Sequence, residues 1–142
     1  MGQYNPRKRV GQGVNVLLMS DTPIKDIAIS FLQNAATGRF DEAYNHVAPN
    51  FRHHNPYFKS DAESLKAGMA DAHKQFPNTK IEVQRAIAEG DLVAVHSRVQ
   101  HAPGTKPIAV VHIFRFEGDH VAELWDVAME VPQESPNQNG MF

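Results

Sequence analysis

Eight of the 142 residues are histidine and none is cysteine, so side-chain chemistry here rests on imidazoles and carboxylates. His46, His73, His101 and His120 fall at helix ends, loops and turns and read as solvated. His53, His54, His96 and His112 fall in strand-like segments. His112 stands in the row Ile108, Val110, His112, Phe114, Phe116, with Arg115 on the opposite row, which makes the His112 face the inner one. An imidazole among Ile, Val and Phe must find a hydrogen-bond partner or bear a desolvation cost. Asp126 sits in a similar row, Ala122, Leu124, Asp126, Ala128; the opposite row of Val121, Glu123, Trp125 and Val127 reads as outer, with Glu123 an exposed charge. A carboxylate and an imidazole on one apolar wall would be suited to general acid–base work.

Whether the two share a wall depends on register. A strict two-residue turn at Gly118-Asp119 pairs His112 with Trp125 and turns Asp126 to the other face. A three-residue turn or one β-bulge restores a common face and brings Arg115 and Glu123 together as well. Bulges recur in curved sheets beside active sites, and the shared face is the expectation. His53 and His54 are adjacent, so on an extended segment only one can enter a pocket. His96 alternates with Arg98, which leaves its face undecided. No H-x-x-x-H or HExxH spacing occurs, so no metal site is expected. Gly11-Gln12-Gly13 lacks the preceding strand and third glycine of a dinucleotide fingerprint.

The elements that must position these residues come in two blocks. Thr22-Pro23 signals a helix start, and Ile24, Ile27, Ala28, Phe31, Leu32 and Ala35 recur on one helical face before Gly38. A short helix carrying Phe40, Ala43, Tyr44 and Val47 should break at Pro49. A third opens at Ser60, with Glu63 completing a capping box, and runs to Pro77. A short strand over about residues 51–55 is expected between the last two helices. From Thr79 the period drops to two, giving four strands, with Glu-Gly-Asp turns at 89–91 and 117–119. Helices grouped ahead of antiparallel strands imply an α+β domain whose sheet curls round the helices. Its other face would then need a cover, for which a second copy is the usual remedy.

Hydrophobic residues make up 42% and charged residues 21%, which excludes a disordered chain. The net charge is −2 and Arg7-Lys8-Arg9 is too short to track a phosphate backbone, so nucleic acid is not an expected partner. No apolar run approaches the roughly eighteen residues of a membrane span. Residues 1–20 read as a leader or extension and 21–142 as the domain, with an extended tail over 132–142. A cytoplasmic location is expected.

Several of these motifs, in order, resemble a known family. His53-His54-Asn55-Pro56, Val95-His96, His112-Ile113-Phe114-Arg115-Phe116-Glu117, Glu123-Leu124-Trp125-Asp126-Val127 and the tail from Val131 to Phe142 are similar to SnoaL-like polyketide cyclases of the nuclear-transport-factor-2-like superfamily. The resemblance covers about residues 24–142. It implies a cone-shaped α+β barrel with a pocket inside the cone, a homodimer formed through the sheet, and no metal or cofactor. By the same resemblance Asp126 is the acid/base of an aldol ring closure on a small hydrophobic or carbonyl-containing substrate. His112 lines the same pocket, where many relatives carry Asp. His54, Asn55 and His96 would orient substrate oxygens, with Trp125 and Phe114 adding aromatic surface. Two other readings stay open: a non-catalytic dimeric module for a small ligand, and an epoxide hydrolase or dehydratase on the same barrel.

Overall fold

The computed structural model describes residues 23–142. The leader reading of residues 1–20 and the Thr22 half of the helix start signal lie outside the described residues. The element order is α1 (Ile24–Ala36), α2 (Phe40–Tyr44), β1 (Val47–His53), α3 (Ala62–Gln75), β2 (Lys80–Glu89), β3 (Leu92–Gln100), β4 (Ile108–Glu117) and β5 (His120–Glu130). The five strands form one sheet in the order β1-β5-β4-β3-β2, with β1 parallel to β5 and the remaining pairs antiparallel. The sheet curls without closing, so the barrel expected from the resemblance is a curved sheet with β1 and β2 as its edges.

The helices fill the concave side. Ile27, Phe31 and Leu32 of α1 and Leu65 of α3 pack with Phe51, Val93, Val95, Phe114, Phe116, Val121 and Leu124 of the sheet into one core. Every one of these sheet residues is buried, as burial on one face of a period-two strand requires. At Gly38 the backbone turns with φ at +79°, and a Cβ there would stand 2.6 Å from Nε2 of His73. Only glycine meets both conditions without displacing that ring.

Two boundaries differ from expectation. Val47 leaves the second helix and opens β1, which tolerates Pro49 because it is an edge strand whose register against β5 shifts between Val47 and Arg52. The third helix is capped by Asp61, not Ser60: the Asp61 carboxylate accepts from Ser64 N–H at 2.8 Å. Ser60 is held back by β1, its carbonyl accepting from the His53 amide, so the helix begins one residue later.

The hairpin between β4 and β5 decides the site. Glu117 pairs with His120 across a two-residue turn at Gly118-Asp119, Phe116 pairs with Val121, and Arg115 then pairs with Glu123. Ala122 is the extra residue of a β-bulge. Beyond it His112 lies opposite Asp126, so the bulge, and not a longer turn, supplies the shared face.

Candidate active site

Between α1, α3 and the concave face lies a cavity of about 460 Å³. Its walls are mostly apolar, with Phe31, Leu32, Met69, Ile81, Val110 and Leu124 among them, and a few polar groups interrupt them. Apolar enclosure with sparse, fixed polar groups is the usual form of a small-molecule site.

One polar group is built from β4, β5 and the segment that follows β1. Asp126 Oδ2 accepts from Asn55 Nδ2 at 2.8 Å, and Asn55 Oδ1 accepts from the Tyr57 amide at 3.0 Å. The Asn55 side chain is therefore fixed at both ends. His53, one residue past Arg52 on the inward side of β1, is buried and lines the cavity. Its Nδ1 accepts from the Asn55 amide at 3.1 Å, so its Nε2–H donates to the Lys59 carbonyl at 2.5 Å. Both nitrogens are used, and His53 acts as a clamp on the loop.

His112 is the contrasting imidazole. Its Nδ1 is sealed from solvent and has no hydrogen-bond partner. Burial lowers its pKa to about 4, against the opposing pull of Asp126, so the ring is neutral at physiological pH. An unmet buried acceptor costs less than an unmet N–H, which assigns the proton to Nε2. His112 then offers a neutral N–H donor next to a carboxylate with one free oxygen.

The profile of the SnoaL-like domain family matches residues 28–124, most of the described chain. The chain belongs to the SnoaL-like domain family. No functionally curated protein matches it. Among solved structures, a candidate hydroxylase, AclR from Streptomyces galilaeus, is 21% identical with a TM-score of 0.65, over 75% of this chain and 88% of that one. IdmH, a candidate polyketide cyclase from Streptomyces antibioticus, is 16% identical with a TM-score of 0.63, over 75% and 91%. A candidate ketosteroid isomerase from Kribbella flavida is 15% identical with a TM-score of 0.64, over 81% and 84%. These likenesses establish a shared fold.

In this SnoaL-like domain only part of the expected substrate-binding set reaches the cavity. Asp126, His112 and Asn55 line it. His54 does not: it points to the convex face, where Nε2 lies 2.8 Å from Glu123 Oε2 and the ring stacks on Trp125 at 4.9 Å, with 1° between the planes. Trp125 is thereby also a convex-face residue. His96 projects to the same face, bonded to Arg85 and stacked at 5.9 Å on Phe142, the last residue of the tail. Phe114 is inward but wholly buried against Phe31 in the core, short of the cavity. The adjacency of His53 and His54 guarantees that they diverge; which of them enters depends on how β1 meets β5, and period alone does not carry that.

Glu123 is a further correction, being 5% exposed and not a free surface charge. Arg52 Nε and Arg115 Nε lie 2.9 and 3.3 Å from its oxygens, beside His54. Hydrogen bonds from His54 and Arg52, with Arg115 after them, hold its carboxyl down at about 2.

Five cavity residues escaped the sequence reading: Tyr57, Phe58 and Thr79, together with His73 and His101, which line the cavity in place of the solvated positions expected for them. Tyr57 and Phe58 belong to an aperiodic loop, and a Cβ on Gly68 would stand 2.3 Å from the Phe58 ring, so that glycine makes room for it. The one usable signal was position, since His73 lies a turn past Met69 on the apolar face of α3. Among the described residues no three His, Asp or Glu side chains are grouped so as to hold a metal ion, and no helix is long and apolar enough to cross a membrane.

Proposed function

We propose that the domain catalyses proton transfer next to a carbonyl, leading to aldol-type carbon–carbon bond formation or loss of water, on a small apolar substrate. The observation that carries this reading is the single-partner carboxylate of Asp126 facing an apolar cavity beside the neutral donor His112. Asp126 takes a proton from the carbon next to the carbonyl. The carbonyl oxygen becomes an enolate, and His112 Nε2–H donates a hydrogen bond to it as its charge develops. The enolate carbon attacks a second carbonyl, and the proton held by Asp126 returns to the new alkoxide. Asn55 holds the carboxylate in one orientation. Each of these steps uses side chains of this chain, with acid–base help of this kind worth roughly 10²–10⁴-fold.

Deuterium exchange at the α-carbon of dodecan-2-one in D₂O is the direct measurement. The wild-type protein should accelerate it and Asp126→Asn should remove the acceleration. Binding of the ketone without any exchange would leave a ligand-binding module in place of an enzyme.

The convex face supports a homodimer. Ile87, Val127 and Met129 are 64%, 71% and 56% exposed there, with Val111 paired to Val127, and apolar side chains exposed on one sheet face in this way are normally covered. Sedimentation equilibrium of the wild type and of Val127→Glu tests it, the variant being expected to dissociate.

A further inference from the structure

The cavity has a second polar end that the proposed chemistry does not use. Thr79, just before β2, and His101, just after β3, line it together. The Thr79 hydroxyl lies 2.9 Å from the Phe76 carbonyl oxygen and 3.2 Å from His101 Nδ1. A hydroxyl has one proton, and a carbonyl can only accept. The Thr79 proton therefore goes to Phe76, and His101 Nδ1–H donates to the Thr79 oxygen. In the neutral ring this leaves Nε2 as a bare acceptor. Phe76 stacks on the ring at 4.7 Å with 27° between planes, which holds the plane of the ring while the Thr79 contact holds Nδ1.

This end is remote from Asp126. Val95 is the β3 partner of His112, and His101 comes six residues later along the same strand direction. At about 3.3 Å per residue the backbone separation is up to about 20 Å, shortened by the curl of the sheet and by the reach of two inward rings. The wall between the two ends carries Val99, Ile108 and Val110. Among the described residues that line the cavity there is no lysine or arginine, so a carboxylate at this end would lack a fixed countercharge.

We infer that His101, oriented by Thr79, forms a distal subsite for a neutral hydroxyl, and that the ligand is an elongated apolar molecule with a carbonyl at one end and a hydroxyl at the other. The assignment of the carbonyl end to Asp126 and His112 rests on the proton-transfer reading; the hydroxyl subsite does not. His101 is a specificity-determining residue here and takes no part in bond making.

The test uses calorimetric titration of the full chain with decan-2-one, dodecan-2-one and tetradecan-2-one, each also carrying a terminal hydroxyl or a terminal methyl ether. At one chain length the hydroxyl compound should bind about tenfold tighter than its ether, because only the hydroxyl can donate to Nε2. His101→Phe keeps the aromatic stack and should abolish the preference while leaving the affinity for the ether unchanged. Thr79→Val, a second variant, frees the ring to adopt either tautomer and should weaken the preference. A hydroxyl preference at no length, its survival in His101→Phe, or no binding across the series would each overturn the subsite. Asp126→Asn separates the two proposals: it should lose α-carbon exchange and keep the hydroxyl preference. Exchange that depends on Asp126 without any hydroxyl preference sinks only the subsite. A preference with exchange that survives in Asp126→Asn sinks only the proton-transfer reading.

Discussion

Two of the carboxylates of strand β5 stand three residues apart, Glu123 on the convex face and Asp126 on the concave one. Glu123 is enclosed by Arg52, Arg115 and His54, with its charge met from three sides. Asp126 receives one hydrogen bond, from the amide of Asn55, and faces a cavity beside an imidazole that burial keeps neutral. The same chemical group thus serves two ends. A fully compensated carboxylate fixes the join between β1, β5 and β4 and has nothing left to offer a ligand. A carboxylate with one oxygen unmet, facing an apolar cavity, keeps an acceptor that a ligand can reach.

The most drastic way to break this contrast is to insert one alanine after Ala122. With the single bulge kept, the added residue would pair with Arg115, which carries Asp126 to the convex face and Glu123 inward. Circular dichroism and thermal melting should show loss of the cooperative fold, since a one-residue slip also turns Leu124 out of the core. Next in size is Asp126→Asn, for which exchange at the ketone α-carbon should fall by roughly 10²–10⁴-fold with melting temperature nearly unchanged. Glu123→Gln should do the reverse, lowering the melting temperature while exchange per folded molecule persists. The two variants together test whether the faces have separate tasks.

The pH dependence sharpens the comparison because the two groups act over different ranges. His112 is lowered from its ordinary value of 6.5 to about 4 by burial. Below about pH 6.5 the unfolded chain takes up a proton that the folded chain refuses. Stability therefore falls as pH drops from 6.5 towards 4, by at most about 1.4 kcal/mol per pH unit from this group. Denaturant unfolding of His112→Gln should show a flatter limb over that interval. Glu123 is lowered from 4.5 to about 2, so its stabilisation is present above 4.5 and is lost as pH falls through 2. That later loss should be intact in His112→Gln and missing in Glu123→Gln. The smallest effect is expected for Asn55→Ala, which releases Asp126 and the turn at Tyr57. A loss of about 1 kcal/mol in stability, together with slower exchange, would mark Asn55 as a positioning residue.

Much of the scaffold was legible because local pattern dictates it. Apolar residues at helical spacing in 24–35 and 62–72, and alternation from Thr79 onward, have one economical outcome each: helices laid on a one-sided sheet. The two Glu-Gly-Asp turns gave both hairpins, and glycine at positive φ is what such two-residue turns require. The pairing of His112 with Asp126 was half legible. The cost of leaving either group unmet on an apolar row argued for a common face, but whether a longer turn or a bulge produced it depends on how the β4–β5 hairpin packs on the core.

What the sequence determined by itself is therefore the element types, the inward row of β4 and that of β5 from Leu124 onward, and the presence of ionisable groups on them; Val121, read as outer, lies in the core because the bulge at Ala122 switches the alternation. The tertiary structure alone decided that His53 and not His54 turns inward, because β1 is an edge strand set by its parallel pairing with β5. It also decided that Glu123 is enclosed, by an arginine that comes seventy-one residues earlier in the chain. The second polar end, where Thr79 and His101 meet across the start of β2 and the end of β3, is of the same kind. Period and spacing describe which side of its own element a residue occupies. Partners brought from distant elements decide what that residue meets there, and no local pattern encodes them.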